Sequence, residues 1–130
     1  MGERPTLLRP PFGSFSDRNW ADAMDLMGAV VTWNVDSGDW LLQGAASVVE
    51  TVAGSVGNGD IVLLTDNEAT TGQTVEALPQ IIDRLKEAGY ELVTVSELIS
   101  TDDDLKAVVK TGRTGIPKGA CLPVLPTEGE

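Results

Sequence analysis

Apolar residues in this chain fall into two kinds of run that take turns along it. Short, nearly continuous stretches stand at Leu7-Leu8, at Ala29-Val30-Val31-Thr32-Trp33-Asn34-Val35, at Ile61-Val62-Leu63-Leu64 and at residues 91–95. Between them, apolar positions recur three and four residues apart: Trp20, Ala23, Met24 and Met27, then Val48, Val49, Val52 and Val56, then Val75, Leu78, Ile81, Ile82 and Leu85. The first kind suits strands buried on both faces of a parallel sheet, and the second is the stripe of an amphipathic helix. The spacing predicts four strands alternating with helices. One helix opens with Ser16 as N-cap and closes at Gly28, one covers residues 45–56, and one covers residues 74–88 and is stopped by Gly89. A short last helix starts at Thr101-Asp102-Asp103-Asp104, with acidic residues at its positive end.

The connections agree with this reading. Arg9-Pro10-Pro11 forces an extended exit from the first strand, because proline disfavours a helical residue before it. Gly57-Asn58-Gly59-Asp60 is a turn, and residues 36–39 and 65–71 are polar loops. From Thr111 onward glycine and proline are frequent and periodicity vanishes, so the expected organisation is one domain over residues 1–110 and a Gly/Pro-rich tail over 111–130. Strands alternating with helices define an α/β fold of parallel β-α repeats joined by right-handed crossovers.

Composition narrows the function classes. The 130 residues are 42% hydrophobic and 22% charged, ordinary for one globular core. A formal charge of −11 with nine scattered Lys and Arg repels phosphate backbones, which sets nucleic acid aside. No apolar run approaches the ~20 residues of a spanning helix, and no basic-then-apolar leader stands at the start, so no membrane association is expected. Cys121, the single cysteine, forms no internal disulfide. The chain has no histidine, which removes the usual proton-transfer group and the commonest nitrogen ligand of zinc. A hydrolase triad of the familiar kind is excluded.

In α/β sheets ligands bind at the C-terminal ends of strands. Those ends carry Arg9, then Asp36 and Asp39, then Thr65, Asp66 and Glu68. Acidic residues there also serve as solvated loop positions or helix caps, and that reading is kept for Asp36 and Glu68. No cofactor is expected. A divalent metal, if held by this chain alone, would need oxygen ligands from Asp36, Asp39, Asp66 and Glu68, a set suited to Ca²⁺ or Mg²⁺.

Three motifs in order, Arg9-Pro10-Pro11-Phe12-Gly13, Asp39-Trp40 and Leu63-Leu64-Thr65-Asp66, each follow a strand-like run. They resemble the last three motifs of the polysaccharide deacetylase (NodB-homology) family of carbohydrate esterases. The resemblance runs from about Leu7 to Leu98, through Thr74-Val75-Glu76-Ala77-Leu78-Pro79 and Gly89-Tyr90-Glu91-Leu92-Val93-Thr94-Val95-Ser96-Glu97-Leu98. It implies the C-terminal half of the family's distorted (β/α) barrel. The family's first two motifs, with a catalytic aspartate and the His-rich metal site, would lie upstream of Met1.

The resemblance also implies roles. Arg9 pairs with Asp39 to tune the catalytic aspartate, and a planar guanidinium fork on a carboxylate suits that task. Trp40 lines the substrate groove, for which core packing is the competing reading, and Leu63 forms part of the acetyl pocket. Thr65 stands where the family carries a histidine that protonates the leaving amine, and a hydroxyl cannot do that proton work. Asp66 is a weaker candidate beside it.

Three functions are consistent with these residues. The chain is an impaired deacetylase-like protein that keeps a rim for N-acetylated glycans, or an active deacetylase or esterase with a relocated carboxylate-based metal site. Alternatively it is a structural module. Half a barrel leaves sheet edges that soluble proteins cover. The cover would be a homodimer partner, a separate N-terminal half or the tail folded back, unless the sheet is open and flat. The family's usual setting is extracellular or cell-envelope glycan, although no leader here supports export.

Overall fold

The computed structural model describes residues 5–10, 16 and 29–101. The helix expected after Ser16, the helix expected from Thr101 and the tail lie outside them. In chain order the elements are β1 (Leu7–Leu8), β2 (Ala29–Val30), β3 (Val35–Asp36), a 3₁₀ turn (Asp39–Leu41), α1 (Ala45–Ser55), β4 (Val62–Leu63), α2 (Thr71–Glu87) and α3 (Val95–Ile99). The chain divides into two compact units, one of Trp33–Val93 and one of the stretches flanking it.

In the flanking unit β1 pairs in parallel with β2, Leu7 opposite Ala29 and Leu8 opposite Val30. The ladder is extended by Ala29 N–H to the Thr6 carbonyl at 3.1 Å and Val31 N–H to the Leu8 carbonyl at 2.7 Å. The same unit contains α3.

In the central unit β3 pairs in parallel with β4, Val35 opposite Val62 and Asp36 opposite Leu63. Its core joins Val48, Val49 and Val52 of α1 to Ala77, Ile81 and Leu85 of α2, with Ala45, Val56, Val62, Leu64 and Tyr90 packed against them. Burying each Val, Ile or Leu contributes about 1.5–3 kcal/mol, so the helix pair outweighs the two-residue strands in holding this unit. Arg84 adds an ion pair to Glu50 at 2.7 Å between exposed side chains, a minor term because both are solvated. Tyr90 hydroxyl donates to the Val56 carbonyl at 3.2 Å.

The parallel α/β character and α1 match the expectation, and α2 ends as predicted. Gly89 has φ +90°, Tyr90 N–H reaches the Leu85 carbonyl and Gly89 N–H the Lys86 carbonyl, which closes the helix in a Schellman motif. Three details differ. The run from Ala29 to Val35 is two strands rather than one. Asn34 and Val35 N–H both point at the Ile61 carbonyl at 3.2 Å, while the Asn34 side-chain carbonyl accepts Ile61 N–H at 2.7 Å. Two residues facing one is a bulge, and the ladder breaks there.

Second, α2 begins at Thr71, and its buried stripe is Thr74, Ala77, Ile81 and Leu85. Val75 and Leu78, expected inside, are 62% and 41% exposed. Thr74 hydroxyl donates to the buried Asp39 carboxyl at 2.9 Å, which turns the helix so that the polar threonine faces inward. Third, residues 91–95 form no strand. Thr94 caps α3: its hydroxyl accepts Glu97 N–H at 3.2 Å and the Glu97 carboxylate accepts Thr94 N–H at 2.8 Å, a capping box that draws Val95 into the helix. No helix among the described residues is long and apolar enough to cross a membrane.

Candidate functional site

The site is built where β3 and β4 end side by side. Beyond Asp36 the chain turns at Gly38, whose φ of +71° is open to glycine at little cost. It then makes the 3₁₀ turn and runs through Leu42 and Gly44 into α1. Asp36 accepts Gly38 N–H at 2.9 Å and the Trp40 indole N–H at 3.2 Å. Asp36 is therefore a turn-former that also tethers Trp40.

Asp39 is fully buried. One carboxyl oxygen accepts Thr65 N–H at 2.5 Å and Thr74 hydroxyl at 2.9 Å. Its other oxygen is buried with no hydrogen-bond partner among the described residues. Asp39 thus fastens the loop after β4 and the first turns of α2 to the loop after β3. Thr65 is brought to Asp39 through its backbone, and its carbonyl accepts the Thr70 hydroxyl at 2.9 Å, closing the 65–70 loop. Asn67 organises that loop, accepting Ala69 N–H at 3.0 Å and Thr71 N–H at 2.9 Å through its side chain and carbonyl.

Trp40 is 57% exposed, so core packing is not its role. It borders an open pocket of about 300 Å³ lined by Asp36, Leu41, Gln43, Ser47 and Thr51 among others. Leu63, half-buried in β4, stands opposite Asp36 in register. Asp66 and Glu68 are exposed in the 65–70 loop. Arg9 is exposed after β1 in the flanking unit. Two contributors escaped the sequence reading: Thr74, which holds Asp39, and Gln73, whose amide bonds both the Asp39 carbonyl and Gly44 N–H. Both sit at the N-terminal side of α2, 29 to 35 residues from their partners, so only the polar residue at a core-facing position, Thr74, offered a signal.

Among the described residues the metal-dependent chemistry of the resembled family finds no donor set. The chain has no histidine, and among the described residues no three Cys, Asp or Glu side chains gather to hold an ion. Of the four carboxylates considered, Asp36 and Asp39 are engaged in the hydrogen bonds above.

No family model matches the chain. The peptidoglycan-N-acetylglucosamine deacetylase of Bacillus cereus is 40% identical over 99 residues, covering 75% of this chain and 46% of that protein. The structure of peptidoglycan deacetylase PdaC from Bacillus subtilis superposes with a TM-score of 0.63 at 34% identity, over 82% of this chain and 48% of that one. A family 4 carbohydrate esterase pseudoenzyme from Bacillus anthracis superposes with a TM-score of 0.60 at 35% identity, over 72% of this chain and 32% of that one. The chain spans less than half the length of each of these relatives. Over about three quarters of its length, then, it belongs with the polysaccharide deacetylases of carbohydrate esterase family 4, as part of the domain those proteins carry.

Proposed function

We propose that this chain is a catalytically impaired, deacetylase-like glycan-binding half-domain that holds N-acetylated sugars against the rim formed by Asp36, Trp40 and Leu63, with the buried Asp39 fastening the loops that carry it. The observation that carries the reading is the exposed Trp40 indole, tethered by its N–H to Asp36 at 3.2 Å beside an open pocket. An indole held in a fixed plane offers an apolar face to a sugar ring without first losing side-chain freedom. Gln43, Ser47 and Thr51 supply hydrogen-bonding groups for sugar hydroxyls around it. Two of the relatives named above are peptidoglycan deacetylases, which suggests an N-acetylated glycan as the ligand class.

Impairment is inferred from Thr65. Its backbone is fixed on Asp39, so the loop is organised as a reacting site would require, but its hydroxyl cannot protonate a leaving amine near neutral pH. Arg9 and Asp66 are carried as further members of the site on the resemblance alone. That pseudoenzymes occur among the structural neighbours is in keeping with a fold that outlasts its chemistry.

Titration of the chain with N-acetylglucosamine oligomers, beside Trp40→Ala, tests the proposal. Binding in the millimolar range or tighter, weakened about tenfold or more by the substitution as loss of an aromatic stacking platform implies, is expected. Acetate release from the same oligomers, with or without divalent metal, is expected to be nil. Metal-dependent release abolished by Arg9→Ala would replace this reading with an active deacetylase using a relocated site. A second reading, compatible with the first, is favoured by the exposure of Leu92 and Val93, 45% and 46%: the chain assembles with a second copy of itself through this β-prone segment.

A further inference from the structure

Residues 39–44 form the loop that carries Trp40, and their backbone is unusual. Gly44 has φ +93°, and Leu42 has φ +56°, the only non-glycine residue with positive φ among those described. A leucine in the left-handed region costs on the order of 1 kcal/mol and persists only where the surroundings impose it. Trp40, Leu41 and Leu42 are 57%, 49% and 56% exposed, so packing of these side chains does not impose it.

Leu42 N–H is held by the Asp39 carbonyl at 3.1 Å, and the two ends of the loop are bridged by one side chain of α2. Gln73 donates its amide N–H to the Asp39 carbonyl and accepts Gly44 N–H at 2.8 Å through its amide oxygen. A carbonyl can only accept and an N–H can only donate, so the two partners fix which end of the amide faces which. No other polar side chain of this length presents one donor and one acceptor on neighbouring atoms in this way. The two ends of the loop are thereby clamped across its mouth, while Asp39 itself is anchored from within by Thr65 and Thr74.

We propose that Gln73 is a positioning residue: by clamping Asp39 to Gly44 it holds the strained loop in the one conformation that aims Trp40 over the pocket. In its role toward the glycan this inference rests on the function proposed above, but the clamp has a readout of its own. Trp40 donates its indole N–H to Asp36, and that bond survives only while the loop keeps its shape.

The test uses the full 130-residue chain labelled with ¹⁵N. The Trp40 indole resonance is identified by its disappearance in Trp40→Phe, and is followed in Gln73→Met, which keeps the side-chain length and removes both hydrogen bonds, and in Gln73→Glu, which keeps the acceptor for Gly44 N–H and removes the donor to Asp39. The expected result is a displaced or broadened Trp40 indole peak in Gln73→Met with the Trp33 indole peak in place, a smaller displacement in Gln73→Glu, and N-acetylglucosamine oligomer binding weakened about tenfold, of the order of one to two lost hydrogen bonds. An unmoved Trp40 indole peak in Gln73→Met overturns the proposal, even if the thermal midpoint falls, since that would leave Gln73 merely structural. If Gln73→Met does not fold, the Gln73→Glu spectrum decides in the same way. If the unsubstituted chain shows no oligomer-induced shift, the glycan reading fails by itself and the indole peak still decides the clamp.

Discussion

At the scale of single residues the site turns on Asp39. Its side chain is fully buried and accepts from Thr65 N–H and Thr74 hydroxyl. Replacing it by alanine strands both donors away from water, at about 1–3 kcal/mol for each unsatisfied group. Asp39→Ala is therefore expected to lower unfolding stability in urea by about 3 kcal/mol, and Asp39→Asn, which retains an acceptor, by about 1 kcal/mol. Equal losses for the two would show that the hydrogen bonds do not hold the loops. Asp39 and Trp40 were legible in the sequence because Asp-Trp is a motif after a strand. Gln73 and Thr74 were not, because their significance lies in partners 34 or 35 positions away that periodicity cannot pair.

At the scale of elements the two helices of the central unit were legible, and α3 was the instructive miss. Residues 91–95 are β-prone, yet the pattern Thr94-Val95-Ser96-Glu97 is a capping box, and two reciprocal hydrogen bonds at the helix start outweighed a weak strand preference. The Glu97 carboxyl is held below its usual value of 4.5, first by Thr94 N–H and then by the Thr94 hydroxyl. A carboxyl with a lowered folded-state value stabilises the fold above the unfolded value and loses that contribution as pH falls through the lowered one. The cap is therefore intact at neutral pH and weakens below pH 4.5. The Thr94 amide resonance is expected to titrate with a midpoint under 4.5 and to lose that titration in Glu97→Gln. A Thr94 amide insensitive to acid in the unsubstituted chain would show that Glu97 does not cap α3 in solution. In α2 the predicted stripe Val75, Leu78, Ile81, Ile82 and Leu85 holds at Ile81 and Leu85, which are buried, and fails at Val75 and Leu78, since a threonine drawn to a buried carboxyl set the inward face of the first turns.

For the whole molecule, the segment at Leu92 and Val93 bears on assembly. Two apolar residues nearly half exposed on consecutive positions add apolar surface that association can cover. Light scattering at micromolar concentration is expected to read the mass of two chains, and Leu92→Lys to return it to one; a one-chain mass for the unsubstituted protein removes self-assembly. What the sequence determined by itself is the parallel α/β class, the position of α1 and the end of α2. These depend on local periodicity, on glycine and proline, and on spacing, all of which act within a few residues. Only the tertiary structure decided that Asp39 is buried and shared between two loops, that Trp40 faces outward on a tether to Asp36, that α2 is turned by Thr74, and that Gln73 closes the loop bearing Trp40. Each of these is a hydrogen bond or a burial whose energy depends on which distant groups the packed helices bring to the same few ångströms, and that is settled when α1 and α2 bury their valines and leucines together.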